Sequence, residues 1–140
     1  MNIERATRVD DELVAAFANL LPQLTTSPRL PDHAHLAAMV ADDRTFLLLA
    51  RDPAIVGTLT LSVYPLPTGV SAQINAVVVD EAARGRGIGE ALTREAVRLA
   101  RAAGAYRLTL TSRDTRKAAH RMYLRAGFEL RDSQVFRMTL

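Results

Sequence analysis

The residues best placed to do chemistry form one uninterrupted run, Val77-Val78-Val79-Asp80-Glu81-Ala82-Ala83-Arg84-Gly85-Arg86-Gly87-Ile88-Gly89-Glu90-Ala91-Leu92. It reads as a buried strand, a short Arg/Gly loop and the start of an amphipathic helix. A loop of that composition leaves backbone N–H groups uncovered at the positive end of a helix dipole, which suits phosphate oxygens. Glycine keeps a Cβ out of the ligand's way and permits the positive φ that turns N–H groups inward. A nucleotide-triphosphate loop would need Gly-Lys followed by Ser or Thr, and none of these follows Gly89. A dinucleotide fingerprint would place its third glycine later and an acidic residue some twenty positions downstream, which fits poorly. The alternative without a ligand is a tight strand-to-helix turn.

A second stretch, Ala118-Ala119-His120-Arg121-Met122-Tyr123-Leu124-Arg125-Ala126-Gly127-Phe128, reads as a helix. Ala119, Met122, Tyr123 and Ala126 recur at helical spacing, and Gly127 suits the left-handed residue that closes it. Arg84, Gly87 and Gly89 in an Arg-x-x-Gly-x-Gly array, followed after one strand by this Tyr/Gly-Phe helix, resemble the two signatures of the GNAT superfamily. These are N-acetyltransferases related to the general-control histone acetyltransferases.

The resemblance implies an α/β fold: a mixed, mostly antiparallel sheet of six or seven strands, helices on both faces, and a splayed central strand pair. It implies acetyl-CoA as acyl donor, an amine acceptor, direct attack in a ternary complex, and no metal. Carried over, Val77, Val78 and Val79 offer backbone groups to the pantetheine arm. Arg84, Gly85, Arg86, Gly87, Ile88, Gly89 and Glu90 offer N–H donors to the pyrophosphate. Tyr123 matches the family's proton donor to the leaving thiolate, and His120, one turn earlier, lies near the coenzyme. The oxyanion would draw on backbone N–H groups near a bulged strand.

The base is where the chain departs from the pattern. Many relatives carry Glu or Asp on the strand before the loop, whereas Ala72-Gln73-Ile74-Asn75-Ala76 has no carboxylate. Gln73 or Asn75 can hold a water, and His120 is titratable. His33 and His35 carry little weight. Two readings follow: an N-acetyltransferase of a small amine or a protein amino group, and a weakly active or non-catalytic acyl-CoA-binding regulatory module. Direct attack without a dedicated base favours the enzyme.

The elements that must position these residues are legible as hydropathy patterns. Ile3 to Thr7 reads as a strand. Asp10 or Asp11 caps a helix carrying Leu13, Val14, Phe17, Leu20 and Leu21, with Pro22 as its end. Thr25 to Pro31 reads as a loop and Asp32 to Ala41 as a second helix. Thr45 to Arg51 and Ile55 to Tyr64 form a hairpin turning at Asp52-Pro53, and Pro65 to Gly69 is a further turn. Val70 to Val79 feeds the loop. Ile88, Leu92, Ala96, Leu99 and Ala103 stripe a helix closed by Gly104. Tyr106 to Ser112 is a strand, and Glu129 to Leu140 holds two more. A single domain over 1–140 is expected.

Composition sets bounds. The 140 residues are 49% hydrophobic and contain no cysteine, which excludes disulfides, thiolate metal sites and a cysteine nucleophile. No apolar run is long enough for a membrane span and the N-terminus lacks a signal peptide's core, so a soluble, cytoplasmic protein without membrane partners is expected. Residues 1–80 carry −4 and residues 81–140 carry +7, for a total of +3. A basic C-terminal half suits a polyanion such as coenzyme A. Aromatic content of 5% and the lack of a nucleic-acid motif argue against nucleic acid. The acidic Asp10-Asp11-Glu12 run, Asp42, Asp43 and Asp52 fit either a cationic acceptor or helix caps and solvated surface. The resemblance also allows a homodimer paired through C-terminal strands.

Overall fold

The computed structural model describes residues 1–140. In chain order the elements are β1 (Asn2–Arg5), α1 (Asp11–Leu24), α2 (His33–Ala41), β2 (Thr45–Arg51), β3 (Ile55–Leu66), β4 (Gly69–Val79), a 3-10 turn (Glu81–Ala83), α3 (Ile88–Ala102), β5 (Arg107–Leu110) and α4 (Lys117–Arg125). The five strands lie in sequence order, antiparallel from β1 to β4, with β5 parallel to β4. The parallel step requires a crossover, and α3 supplies it on one face of the sheet.

Each face has its own core. On one, Leu48, Ala50, Leu59, Leu61, Ala72 and Ile74 pack against Ile88, Leu92, Ala96 and Ala100 of α3. On the other, Leu47, Leu49 and Val78 pack against Leu13, Phe17 and Leu20 of α1 and Leu36 of α2. Alternation along β2 sends successive leucines to opposite cores, as the two-residue strand period demands.

Asp10, one of the two expected caps, accepts from the Leu13 N–H at 2.9 Å, and Asp32 caps α2 by accepting from the His35 N–H at 2.8 Å. Both α3 and α4 close through glycine: the Ala105 and Phe128 N–H groups reach back to the carbonyls of Ala100 and Tyr123, with Gly104 and Gly127 at positive φ. Pro22 does not end α1. It sits in the last turn, where its missing N–H removes only the one bond that would reach the Ala18 carbonyl. Pro65 lies within β3, paired with Val70, and the turn is confined to Pro67–Thr68.

The expected strands within Glu129–Leu140 do not form, and the sheet has five strands instead of six or seven. Residues 129–140 run out from the body and are exposed throughout, with Phe136 at 94% and Met138 at 82%. A strand needs a ladder partner, and this segment meets none on its own chain.

Candidate functional site

The site begins with an irregularity in β4. Thr58 pairs with Val78 and Thr60 with Asn75, so β4 holds one residue more than β3 between those rungs. The extra residue is accommodated at Ala76, the one non-glycine residue at positive φ (53°). Such a bulge reverses the side-chain phase of everything beyond it. Ala72 and Ile74 face the α3 core before it, Val77 and Val79 lean on that same core after it, and Val78 faces α1.

The bulge also marks where β4 loses its outer neighbour. β5 pairs only with Ser71, Ala72, Gln73 and Ile74, and no strand accompanies Asn75 to Val79 on that edge. The strands splay beyond Ile74 and leave the backbone of Val77 without a ladder partner on that side, whereas Val78 is buried and pairs with Thr58 of β3. Val79 differs: its carbonyl accepts from Arg84 Nε at 3.1 Å.

At the end of β4 the chain makes its 3-10 turn and enters the loop. The Arg84 N–H is taken by the Glu81 carbonyl at 3.3 Å, so Arg84 offers no free backbone donor. None of the backbone N–H groups from Gly85 to Glu90 has a partner in the chain. Gly85 and Gly87 stand at φ 81° and 78°, and a Cβ on either would meet open space. Positive φ is therefore what these glycines supply. Gly87 caps α3 without a side-chain bond, which leaves the first-turn donors of a 15-residue helix bare. Arg86 is directed elsewhere, to Asp52 at 3.1 Å and the Ala82 carbonyl at 3.3 Å, so its side chain braces the loop against the β2–β3 turn.

A splayed strand pair beside a bulge, leading to a row of bare N–H groups at a helix start, is the arrangement the sequence motifs imply. The model of the acetyltransferase (GNAT) family matches residues 9–128. The chain belongs to the GNAT family.

A rice protein (Oryza sativa subsp. japonica) named "Probable glucosamine 6-phosphate N-acetyltransferase 2" is 34% identical over 141 residues, covering 91% of this chain and 81% of that one. An acetyltransferase structure from Trypanosoma brucei superposes with a TM-score of 0.77 at 28% identity, over 99% of this chain and 100% of that one. The glucosamine-6-phosphate N-acetyltransferase of Arabidopsis thaliana gives 0.82 at 18% identity over 99% of both chains, a likeness of fold. The chain is an acetyl-CoA-dependent N-acetyltransferase of this family.

In this GNAT enzyme α4 lies beside the first turn of α3. Glu90 accepts from Arg125 at 3.0 Å and from Arg94 at 3.2 Å, and Met122 lies against Gly89. These arginines, Arg125 first, hold the Glu90 carboxyl below its ordinary value of 4.5. Glu90 thus joins the two helices that flank the cleft, a role beyond the N–H contribution expected of it. Tyr123 is half-buried, edge-on to Phe128 at 5.8 Å, and its hydroxyl has no hydrogen-bond partner in the chain. Burial raises its pKa above the ordinary 10.0, partly opposed by the Arg116 charge, so the phenol keeps its proton at physiological pH. His120 is half-buried one turn earlier on α4, whereas His33 and His35 are exposed in the first turn of α2.

Gln73 is half-buried and Asn75 exposed on β4 before the bulge, and no carboxylate stands beside them on that stretch. Sequence reasoning missed a cavity of about 450 Å³ between the end of α1, Arg84 and the β5–α4 connection. Gln23, Leu24, Thr25, Arg84, Thr111, Ser112, Arg113, Thr115 and Arg116 line it, with no carboxylate. The Arg-x-x-Arg spacing in an otherwise polar connection was the available signal. Most of the acidic residues of the first half are engaged in the structure, Asp10 and Asp32 as caps, Asp42 with Thr45 and the Arg44 N–H, Asp52 with Arg86, and Glu12 with Arg51, while the Asp11 and Asp43 carboxylates bond nothing in the chain.

Proposed function

We propose that the whole chain works as one acetyltransferase domain, moving acetyl from acetyl-CoA to the primary amine of a small amino-sugar-like acceptor by direct attack. The observation that carries this reading is the row of unpaired N–H groups from Gly85 to Glu90, close to the unpaired backbone edge of β4 at Val77. The N–H row takes the pyrophosphate, and the β4 edge takes the amides of the pantetheine arm. The thioester then lies near the bulge, where N–H groups beside Ala76 face the carbonyl oxygen as it gains charge. The amine nitrogen attacks the carbonyl carbon, the C–S bond breaks, and Tyr123 gives its proton to the sulfur. The amino-sugar acceptor is suggested by the names of the rice relatives.

No dedicated base is needed if the amine reaches the site neutral, with a water held by Gln73 or Asn75 taking its proton. The alkaline rise of kcat/KM then follows the acceptor's own ionisation. Thiol release from acetyl-CoA with a panel of amines, including glucosamine and glucosamine 6-phosphate, tests the reading. Acceptor-dependent thiol release supports it, and release no faster than uncatalysed hydrolysis with every amine contradicts it. A profile that ignores the acceptor and disappears in His120→Ala would make His120 the base.

The exposed tail supports a homodimer. β5 is an open sheet edge, α4 buries no residue completely, and Val135, Phe136, Met138 and Leu140 stand uncovered on the same chain. Reciprocal placement of each tail along the partner's β5 satisfies both surfaces through one two-fold axis.

A further inference from the structure

Two side chains one turn apart on α1 reach the segment that leads into the Gly85–Glu90 loop. Asn19 Nδ2 donates to an Asp80 carboxylate oxygen at 3.1 Å, and Gln23 Oε1 accepts from the Glu81 N–H at 2.8 Å. The Gln23 amide is oriented by its own helix, since its Nε2 donates to the Asn19 carbonyl at 3.1 Å and so turns its oxygen toward Glu81. The other Asp80 oxygen accepts from the Ala82 N–H at 3.3 Å. Side chains therefore take both donors at the start of the 3-10 turn, and the carbonyls of Asp80 and Glu81 take those of Ala83 and Arg84. The donors from Gly85 to Glu90, directly after them, have no partner at all.

Burial does not force these contacts. Asn19 is exposed and Gln23 half-buried, so water could satisfy either side chain. What the contacts do is fix the approach to a loop whose glycines are conformationally permissive. A loose loop loses more freedom when it closes on a ligand, and holding it in place beforehand removes that cost. The approach is held at Ala83, buried against the α3 core, at Arg86 by Asp52, and at Asp80 and Glu81 by α1. Gln23 and Arg84 also line one cavity, so the α1 contact adjoins the first residue of the loop motif. We propose, on the reading of Gly85 to Glu90 as the coenzyme's cradle, that Asn19 and Gln23 are positioning residues for acetyl-CoA. Acting through Asp80 and Glu81, they hold the N–H row in its binding geometry before the coenzyme arrives.

Reversing the polarity of one bond tests this. Asn19→Asp sets two carboxylates against each other. Adding Asp80→Asn restores the bond in the opposite sense: the new amide donates to the new carboxylate, while its oxygen still accepts from the Ala82 N–H. Asp80→Asn alone should be milder, because the Asn19 amide can turn to present its oxygen. Asn19 is exposed, so the variants should fold. Acetyl-CoA is titrated calorimetrically into each, alongside thermal melts and amide exchange over residues 81–84. Asn19→Asp should raise the acetyl-CoA Kd about 3- to 10-fold, the worth of one hydrogen bond, and speed exchange at those amides. The double variant should recover most of both. Gln23→Met, which keeps the side-chain length and loses the acceptor, should raise the Kd similarly. A lowered Tm in Asn19→Asp with an unchanged Kd, or a double variant no better than Asn19→Asp, would overturn the assignment. Wild type that fails to bind acetyl-CoA, with exchange still faster in Asn19→Asp, would uphold the brace on the loop and contradict the cradle reading instead.

Discussion

Replacing Tyr123 with phenylalanine isolates one hydroxyl. The ring keeps its edge-on contact with Phe128, and the lost oxygen has no partner that would be orphaned. Stability should therefore change by less than about 0.5 kcal/mol, or roughly 2–3 °C in Tm. General acid catalysis contributes about 10²- to 10⁴-fold when proton and leaving group are well matched. Here they are not: a thiol near 8.5 is a stronger acid than a phenol near 10 by about 2 kcal/mol, and burial widens the gap. The expected loss in kcat is thus at the low end, about 10- to 100-fold. Steady-state thiol release separates kcat from KM, and calorimetry gives the acetyl-CoA Kd, which should stay within about twofold of wild type. Burial opposes ionisation of Tyr123, so its contribution to stability is intact below pH 10 and declines as pH rises beyond that; the phenylalanine variant lacks this decline. An unchanged kcat would leave Tyr123 as packing alone. A parallel loss of kcat and acetyl-CoA affinity would mean that the hydroxyl binds the coenzyme instead of donating a proton.

Other outcomes follow from single contacts. Ala76→Gly should raise Tm by about 2–5 °C, because relief of left-handed strain of about 1–2 kcal/mol exceeds the added chain entropy; Ala76→Val should lower it, and a reversed order in thermal melts would refute the bulge geometry. Glu90→Gln should weaken acetyl-CoA binding several-fold by loosening α4 from α3, with tighter or equal binding counting against the clamp. Because the Glu90 carboxyl is held below 4.5, the wild-type clamp persists above that pH and is lost as pH falls below it, so acetyl-CoA affinity should decline there in wild type and not in the glutamine variant. Light scattering should find the full chain dimeric and a chain ending at Phe128 monomeric; a full-length monomer at tens of micromolar would refute the reciprocal tail.

The elements with strong local signals were legible before any coordinates. The α1 cap at Asp10 or Asp11, the Gly104 and Gly127 closures and the α3 stripe each depend on residues a few positions apart, and the structure shows them, with Asp10 as the cap. The strand–loop–helix turn was legible for the same reason, and Gly85 and Gly87 stand at positive φ just before the helix start. What escaped depends on distant partners. Nothing in the Val-rich run marks Ala76 as the bulge, because that residue is set by the register of β3 against β4. Asp52 looked like a turn carboxylate until it met Arg86, and Glu90 gave no hint of Arg125 thirty-five positions away. The tail misled most: its apolar content reads as strand, but a strand forms only where a free edge is within reach.

The most direct measurement is calorimetric titration of wild type and Gly87→Glu with acetyl-CoA. Gly87 sits at φ 78° with open space where a Cβ would stand, so the variant keeps its packing at a strain of about 1–2 kcal/mol. A carboxylate at the mouth of the N–H row repels the pyrophosphate by about 2–3 kcal/mol at an intermediate dielectric, enough to weaken binding roughly 30- to 200-fold. Gly87→Ala, which shares the strain without the charge, controls for folding. Micromolar binding by wild type, largely retained in Gly87→Ala and lost in Gly87→Glu, is the predicted result. A folded Gly87→Glu protein that binds acetyl-CoA as wild type does would contradict the assignment of this loop as the coenzyme's cradle.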